Sequence, residues 1–279
     1  MKTVKVRNIE IGDGKPLVLI AGPCVIEEES VVYRIAEKIK KISENVSIPF
    51  IFKSSYLKDN RSSVDSYQGI GVDKGLEILN NVKNKFEVPV LSDVHSVNDV
   101  EKASQVLDVI QIPAFLSMQT SLTLAVGKTG KPVNVKKGQF LHPYDMKNIV
   151  GKLESVNNYN ILLTERGSCF GYRTLVTDFR SLQIMRSLGY PVVFDPTHSL
   201  RNYGIPSGER GGGSPEFVPS LSRAGVATGI DAIFIETHDD LNYAKCDASS
   251  MLPFEKLENL LKILIEIDAL VKTKIKLQI

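Results

Sequence analysis

Side chains able to bind a metal ion recur directly after short apolar runs in this chain of 279 residues. One set combines a thiol, an imidazole and two carboxylates, at Cys24, His198, Glu236 and Asp247. Sulfur, nitrogen and oxygen donors together suit a borderline divalent cation such as Zn²⁺, Fe²⁺ or Mn²⁺. The four residues are scattered rather than paired as C-x-x-C. From spacing alone, therefore, an ordinary buried thiol at Cys24 remains the alternative.

A second set of side chains is cationic. It comprises Lys53, Lys58, Arg61, Lys136, Lys137 and Arg166. Cations that converge on one pocket need anions to offset them, and phosphates and carboxylates are the natural candidates. Solvated surface charge is the alternative, although Lys53, Lys136 and Arg166 each follow an apolar run that should be buried. Two anion clusters beside a cation site are typical of condensing a phosphorylated sugar with a second anionic compound.

Eight apolar runs rich in Val, Ile and Phe predict strands that are buried on both faces. They are Leu17–Ala21, Phe50–Lys53, Val88–Asp93, Val109–Ile112, Pro132–Lys136, Ile161–Glu165, Pro191–Asp195 and Ala232–Glu236. The segments between them predict helices. These are Glu28–Ile42, Lys74–Phe86, Asn98–Leu107, Ser121–Gly127, Met146–Leu153, Leu175–Leu188, Pro219–Thr228 and Leu252–Lys274.

Eight strands that alternate with helices indicate parallel pairing through right-handed crossovers. Eight such units in roughly 250 residues match a closed (β/α)8 TIM barrel, and an open doubly wound sheet is the rival. Residues 1–279 are expected to form a single domain, because no linker or low-complexity tract divides them. Residues 3–16 predict a small N-terminal hairpin that closes the bottom of the barrel, with Asp13-Gly14 as the turn signal.

In such a barrel the chemistry lies at the C-terminal ends of the strands. That face would collect both the cationic set and the metal-ligand set. It would also carry Asp93, His95 and Gln111, and the glycine-rich stretch at 207–214. We interpret that stretch as a lid in preference to a merely flexible loop. It does not match the P-loop pattern, which argues against a nucleotide site.

The composition excludes several classes of protein. Hydrophobic residues make up 43% and charged residues 24%, which is typical of soluble globular proteins. A net charge of +2 argues against a nucleic-acid partner. Neither a run of about 20 apolar residues nor a signal peptide is evident, which predicts no membrane association. Three widely spaced cysteines predict reduced thiols and a cytoplasmic location.

A series of ordered motifs resembles the 3-deoxy-D-manno-octulosonate-8-phosphate synthase (KDO-8-phosphate synthase) family along almost the whole chain. The motifs include AGPC at 21–24, KDNRSS at 58–63, KTGKPVNVKKGQF at 128–140, FDPTHS at 194–199 and AKCDASS at 244–250. The resemblance implies an enzyme that condenses phosphoenolpyruvate, arabinose 5-phosphate and water, releasing phosphate. Its product would supply the inner sugar of lipopolysaccharide. Cys24 together with Asp247-Ala248-Ser249 resembles the metal-dependent class of the family.

The resemblance also implies roles for individual residues. Cys24, His198, Glu236 and Asp247 resemble the family's metal ligands. Lys53, Gln111, Lys136 and Arg166 resemble its phosphoenolpyruvate site. Asn60, Arg61 and Ser62 resemble its sugar-phosphate site, and Arg61 and Ser62 of the family reach a neighbouring subunit, which implies a homotetramer. Lys58 and Asp93, with Asn60, resemble the catalytic residues beside the reacting centre.

Some positions depart from the family pattern. Met118 stands where the family usually has Arg, Asp59 replaces an Ala, and Arg201 replaces a Gln. These changes leave open a synthase for another phosphorylated aldose, such as erythrose 4-phosphate. A lysine-based aldolase that forms an imine through Lys53 or Lys136, and a non-catalytic barrel that binds anionic sugars, are the alternatives from other classes.

Overall fold

The computed structural model describes residues 1–61, 63–169, 173–209 and 211–274. Eight parallel strands form a closed barrel. They are β3 (Val18–Gly22), β4 (Phe50–Lys53), β5 (Val90–Asp93), β6 (Val109–Ile112), β7 (Val133–Lys136), β8 (Ile161–Glu165), β11 (Val192–Phe194) and β12 (Ala232–His238). Each strand pairs with the next, and β12 pairs with β3, with Ala232 opposite Val18. This last pairing closes the barrel, so the predicted TIM barrel is confirmed and the open sheet is wrong.

Helices lie between the strands and cover the outside of the barrel. They are α1 (Glu29–Asn45), α2 (Val72–Phe86), α3 (Val100–Val106), α4 (Thr120–Lys128), α5 (Met146–Glu154), α6 (Arg180–Arg186), α7 (Pro196–Ser199), α8 (Val218–Ala227) and α9 (Leu257–Lys274). In α1, Val32, Ile35, Ala36 and Ile39 recur at helical spacing and are all buried. One apolar stripe per helix is what packing against a sheet requires.

The strands are buried on both faces because alternate residues enter two different cores. In β3, Leu19 and Ala21 pack with the helices, whereas Val18 and Ile20 join the interior of the barrel. The interior core also contains Val4, Val6, Ile9 and Ile11 from the N-terminal hairpin. The hairpin therefore fills one end of the barrel.

The hairpin is confirmed, but its turn differs from the expectation. Strands β1 (Val4–Val6) and β2 (Ile9–Ile11) pair with Val6 opposite Ile9. The turn therefore falls at Arg7 and Asn8, with Arg7 in the left-handed conformation at φ 53°. Asp13-Gly14 follows the hairpin instead of forming its turn, because the apolar alternation that fixes the register ends at Ile11.

Two predicted helices begin later than expected. The helix predicted at Leu175–Leu188 begins at Arg180, because β10 (Leu175–Val176) pairs antiparallel with β9 (Ser168–Cys169). The helix predicted at Leu252–Lys274 begins at Leu257, because β13 (Leu252–Pro253) extends the sheet beside β12. In both places pairing with another short strand overrides the helical pattern. Across the described ranges, no helix is both long enough and apolar enough to cross a membrane.

Candidate active site

A cavity of about 490 Å³ opens at the C-terminal ends of the barrel strands. Its wall includes members of both the cationic set and the metal-ligand set that the sequence indicates. The cations on it are Lys58, Arg61, Lys136, Arg166 and Arg201, and the acidic and imidazole groups are Asp59, Asp93, Asp247 and His198. A cavity lined by this many charged side chains is suited to a small, charged ligand.

Cys24 reaches the site because Gly22 lets two strands approach closely. A Cβ atom at Gly22 would lie 2.0 Å from the carbonyl oxygen of Lys53, so any larger residue there would push β3 away from β4. The chain then places Cys24 against Lys53, whose Nζ donates to the Cys24 carbonyl oxygen at 2.9 Å. Burial raises the pKa of the Cys24 thiol well above its usual value, and the nearby acidic groups raise it further.

The four predicted metal ligands meet around Asp247. Its Oδ2 lies 3.2 Å from Cys24 Sγ and 3.8 Å from His198 Nε2. His198 Nε2 is 3.7 Å from Glu236 Oε1. His198, Glu236 and Asp247 bring ligand atoms within 4.8 Å of one another, as do Cys24, Cys246 and Asp247. Two triads that share one carboxylate therefore surround one small volume.

Asp195 fixes the orientation of His198. Its Oδ2 lies 2.7 Å from His198 Nδ1, and its Oδ1 accepts from the His198 backbone N–H at 2.9 Å. The same carboxylate pairs with the Lys136 ammonium. Burial would raise the pKa of Asp195, but His198 and Lys136 hold it well below the usual range. Nδ1 lies beside this carboxylate without the alignment of a hydrogen bond, whereas Nε2 faces Glu236 and Asp247 and is the nitrogen placed to bind a metal ion.

The donor set fits a divalent cation. It offers sulfur, an imidazole nitrogen with a second-layer carboxylate, and two carboxylates, all in one buried pocket. Burial would raise the pKa of Glu236, but His198 and Lys53 hold it below its usual value, so it is ionised at neutral pH. The pKa of Asp247 is also lowered, by Arg201 and His198, against the effect of burial. Ionised carboxylates and a thiol are ligands that Zn²⁺ and Fe²⁺ accept.

Lys53 takes a different position from the other predicted anion-binding residues. It is 1% exposed, and its Nζ donates to Glu236 Oε1 at 2.6 Å. Lys53 does not contribute to the wall of the cavity, whereas Lys136, Gln111 and Arg166 do. In this arrangement its ammonium group is paired with Glu236.

Lys58 and Asp93 form a buried ion pair at the wall, with Nζ 3.2 Å from Oδ2. Burial alone would lower the pKa of Lys58, but the surrounding acidic groups raise it well above its usual value. Burial would likewise raise the pKa of Asp93, and Lys58 and Lys53 hold it well below. Lys58 is therefore cationic and Asp93 anionic at neutral pH.

A chain of polar side chains inside the barrel supports Asp93. Gln111 donates to Asp93 Oδ1, Asn134 donates to Gln111 at 2.7 Å, and Thr164 donates to Asn134 at 2.6 Å. The chain crosses four neighbouring strands. It holds Gln111 with its amide nitrogen toward Asp93, because its amide oxygen is already occupied.

Arg166 provides a buried cation at the wall. It is 4% exposed, and among the described residues its Nη1 has no hydrogen-bond partner. Lys137, directly after Lys136, is instead occupied by Ser168 Oγ at 3.1 Å and lies 3.6 Å from Glu165 Oε1. An unpartnered buried guanidinium nitrogen facing a cavity is suited to an anionic ligand.

Two of the predicted sugar-phosphate residues, Asn60 and Arg61, also line the cavity. Arg61 Nη2 donates to Ser207 Oγ at 2.8 Å, and its Nη1 lies 3.8 Å from Asp247 Oδ1. Asn60 is exposed and also faces the cavity. Ser62 lies outside the described residues. Met118, one of the departures from the family pattern, is not on the cavity wall, and its carbonyl oxygen accepts from Lys152.

Sequence reasoning gave no role to three residues of this site. Asp195 was recognised only as a strand end, Cys246 only as a thiol, and Tyr203 not at all. The sequence did hold a signal for Cys246, because it directly precedes Asp247. The sequence holds no comparable signal for Tyr203, because this residue belongs to an irregular loop. In the structure its ring lies 5.9 Å from the Arg166 guanidinium.

The sequence model of the DAHP synthetase I family matches residues 2–273. The chain belongs to the DAHP synthetase I family. Its curated relatives include proteins named 2-dehydro-3-deoxyphosphooctonate aldolase from three bacteria. The Geotalea uraniireducens protein is 56% identical over 98% of this chain and 100% of the relative. The Trichlorobacter lovleyi protein is 54% identical over 97% and 99%. The Geobacter sulfurreducens protein is 52% identical over 97% and 99%.

Proposed function

We infer that this chain is a KDO-8-phosphate synthase, which condenses phosphoenolpyruvate with arabinose 5-phosphate and water. The proposal rests on the cavity at the C-terminal ends of the barrel strands. There a buried arginine, a lysine bound to Asp195 and the Lys58–Asp93 pair face one volume beside a set of metal-binding side chains. The near full-length relatives that bear the name of this enzyme support the same reaction.

Phosphoenolpyruvate would bind at Arg166 and Lys136. Burial lowers the pKa of Lys136, although Asp195 opposes this effect. A phosphate or carboxylate beside Lys136 would add negative charge and would stabilise its ammonium form. Arg166 would supply a forked donor to the same anion. Arabinose 5-phosphate would approach from the side of Asn60 and Arg61.

The reaction balances without a redox partner. The methylene carbon of phosphoenolpyruvate attacks the aldehyde carbon of the sugar, and water adds at the neighbouring enol carbon. The bond between that carbon and the phosphate oxygen then breaks. Of the two water protons, one ends on the former aldehyde oxygen and the other on the phosphate.

Lys58 and Asp93 would assist these proton transfers. A cationic Lys58 can donate a hydrogen bond to the aldehyde oxygen as negative charge develops there. The anionic Asp93 can accept a proton from the attacking water, and Gln111 keeps its carboxylate in place. A bound divalent metal ion, held by Cys24, His198, Glu236 and Asp247, would orient a ligand oxygen and polarise it as a Lewis acid.

Two further elements of the proposal concern the assembly and the location. The family resemblance implies a homotetramer, because Arg61 and Ser62 of the family reach a neighbouring subunit. In the single chain Arg61 instead contacts its own Ser207 and Asp247, so the assembly stays a proposal that rests on the resemblance. A cytoplasmic location agrees with the reduced thiols that a cysteine ligand requires.

The test is a phosphate-release assay with phosphoenolpyruvate and arabinose 5-phosphate, before and after chelation, with metal then restored. We expect release that depends on arabinose 5-phosphate, disappears on chelation and returns with a divalent cation. Release only with erythrose 4-phosphate would replace the aldose in the proposal. Release from verified metal-free protein would remove the metal from it. Trapping by borohydride with a carbonyl substrate would favour an imine at Lys53 or Lys136 instead.

A further inference from the structure

The second thiol at the cation site, Cys246, stands outside the four-residue ligand set. Its Sγ lies 2.7 Å from Cys24 Sγ, and both cysteines are buried and free. Cys24, Cys246 and Asp247 each bring a ligand atom within 4.8 Å of the other two. Sulfur therefore reaches this volume from two separate loops, one after β3 and one after β12.

The backbone at Asp247 turns two successive side chains into the site. Asp247 has φ 52°, a left-handed conformation that a residue with a Cβ rarely adopts. Its N–H donates to Ser207 Oγ at 3.3 Å, and its carbonyl oxygen accepts from the Ser250 N–H at 2.9 Å. In an extended strand, neighbouring side chains would point to opposite faces. Here Cys246 and Asp247 both reach Cys24.

Positive charge already lies against the Cys246 sulfur. Arg61 Nη1 donates to Cys246 Sγ at 2.9 Å and lies 3.8 Å from Asp247 Oδ1. These contacts fix the Cys246 sulfur beside the Asp247 carboxylate.

The distances allow one cation to contact both sulfurs. Two sulfurs bound to one zinc ion, each about 2.3 Å from the metal, lie about 3.3–4.0 Å apart at bond angles of about 90–120°. Cys24 and Cys246 would need to separate by only about 1 Å from their present spacing to reach that geometry. We propose that Cys246 is a second sulfur ligand of the divalent-cation site and makes the site prefer thiophilic cations over Mn²⁺ or Mg²⁺.

This inference rests on the proposed metal site and adds one bond to it. Each thiol that binds the cation releases its proton to solvent, and no electron is transferred. Thiolates select zinc-like and softer cations, whereas carboxylates and water suit Mn²⁺ and Mg²⁺. A two-sulfur set therefore shifts the preference toward Zn²⁺, Co²⁺ and Cd²⁺.

The first experiment uses the unmodified full-length protein, reduced and loaded with one equivalent of Zn²⁺. X-ray absorption at the zinc edge counts the sulfur atoms bound to the metal and needs no variant to fold. We expect two sulfurs per zinc. A single sulfur would overturn the inference.

The second experiment compares Cys246→Ser and Cys246→Ala with the native protein and with Cys169→Ser. Cys169 is exposed and lies outside the site, so its variant controls for the loss of a thiol. We expect the Cys246 variants to lose about half of the thiolate-to-cobalt charge-transfer intensity. Their Kd for Cd²⁺ should rise about tenfold or more, while their Kd for Mn²⁺ should change less than about threefold. Full cobalt intensity and an unchanged Cd²⁺ to Mn²⁺ ratio in both Cys246 variants would contradict the inference.

Cys24→Ser separates failure of this inference from failure of the metal site. If Cys24→Ser loses zinc binding while the Cys246 variants bind zinc as the native protein does, only the second sulfur is wrong. If Cys24→Ser binds zinc as tightly as the native protein, the whole cation site is misplaced, and the inference falls with it. The phosphate-release assay remains an independent test of the reaction in both cases.

Discussion

Replacing Asp195 with Asn should weaken both the fold and the metal site. The side chain of Asp195 is 0% exposed. Its Oδ2 faces His198 Nδ1 at 2.7 Å and also the Lys136 ammonium, while its Oδ1 accepts from the Thr197 hydroxyl at 2.8 Å. Asn has the same shape and keeps one acceptor oxygen. The substitution therefore removes the negative charge with little change in packing.

The expected size of the effect follows from the two partners that lose this charge. Leaving Lys136 buried without its counter-ion should cost about 3–5 kcal/mol of unfolding free energy. Because Asp195 also orients His198, the affinity for a divalent cation should fall about 10- to 100-fold. That loss corresponds to about 1.4–2.8 kcal/mol of binding free energy.

Urea unfolding of the metal-free protein measures the first effect, and a competition titration with Zn²⁺ measures the second. Asp178→Asn is the matched control, because Asp178 pairs with the exposed Arg180. That exposed pair should contribute at most about 1 kcal/mol, and its loss should leave the zinc affinity unchanged. Asp195→Asn with native-like stability and native zinc affinity would refute the assigned role of Asp195.

Three further results are expected. Arg166→Ala should lower kcat/KM for phosphoenolpyruvate about 100-fold, mainly by raising KM, because it removes a buried cation with an unpartnered nitrogen. A steady-state phosphate-release assay that finds an unchanged KM would contradict this prediction. Gly22→Ala should lower the free energy of unfolding by about 3 kcal/mol or more, because the new Cβ would meet the Lys53 carbonyl oxygen. The control is Gly151→Ala, since Gly151 is exposed in α5 and has open space around it. In urea unfolding this control should stabilise the protein by about 0.5–1 kcal/mol. The apparent affinity for Zn²⁺ should rise with pH, by about tenfold per pH unit for each proton displaced. The reason is that burial keeps Cys24 protonated at neutral pH and metal binding removes that proton. Cys24→Ser should reduce this slope by one proton, and an identical slope in both proteins would count against Cys24 as a ligand.

The fold was largely predictable because its pattern is local. Strands buried on both faces appear as continuous apolar runs, and all eight barrel strands lie within two residues of their expected bounds at their N-terminal ends. The errors fall where strand pairing overrides a helical pattern. Leu175 and Leu252 have apolar neighbours at helical spacing, yet each lies in a two-residue strand that pairs with another strand, at Cys169 and at Thr237.

The candidate site was predictable to a smaller extent. Polar residues at the ends of apolar runs can be recognised in the sequence, so Lys136, His198 and Glu236 are predictable as members of one barrel face. The ion pairs that these side chains form are not predictable. Sequence order does not reveal that Lys53 pairs with Glu236 across 183 positions, or that Lys136 shares Asp195 with His198.

The barrel, its layer of helices and the types of polar residue at the strand ends are predictable from sequence, because residue type and period act over short distances along the chain. Which charges neutralise one another, and which remain available to a ligand, depends on the folded arrangement. It leaves Arg166 with a free nitrogen and turns Cys246 toward Cys24. The physical reason is that burial and pairing depend on closure of the barrel, which brings loops from opposite ends of the chain together.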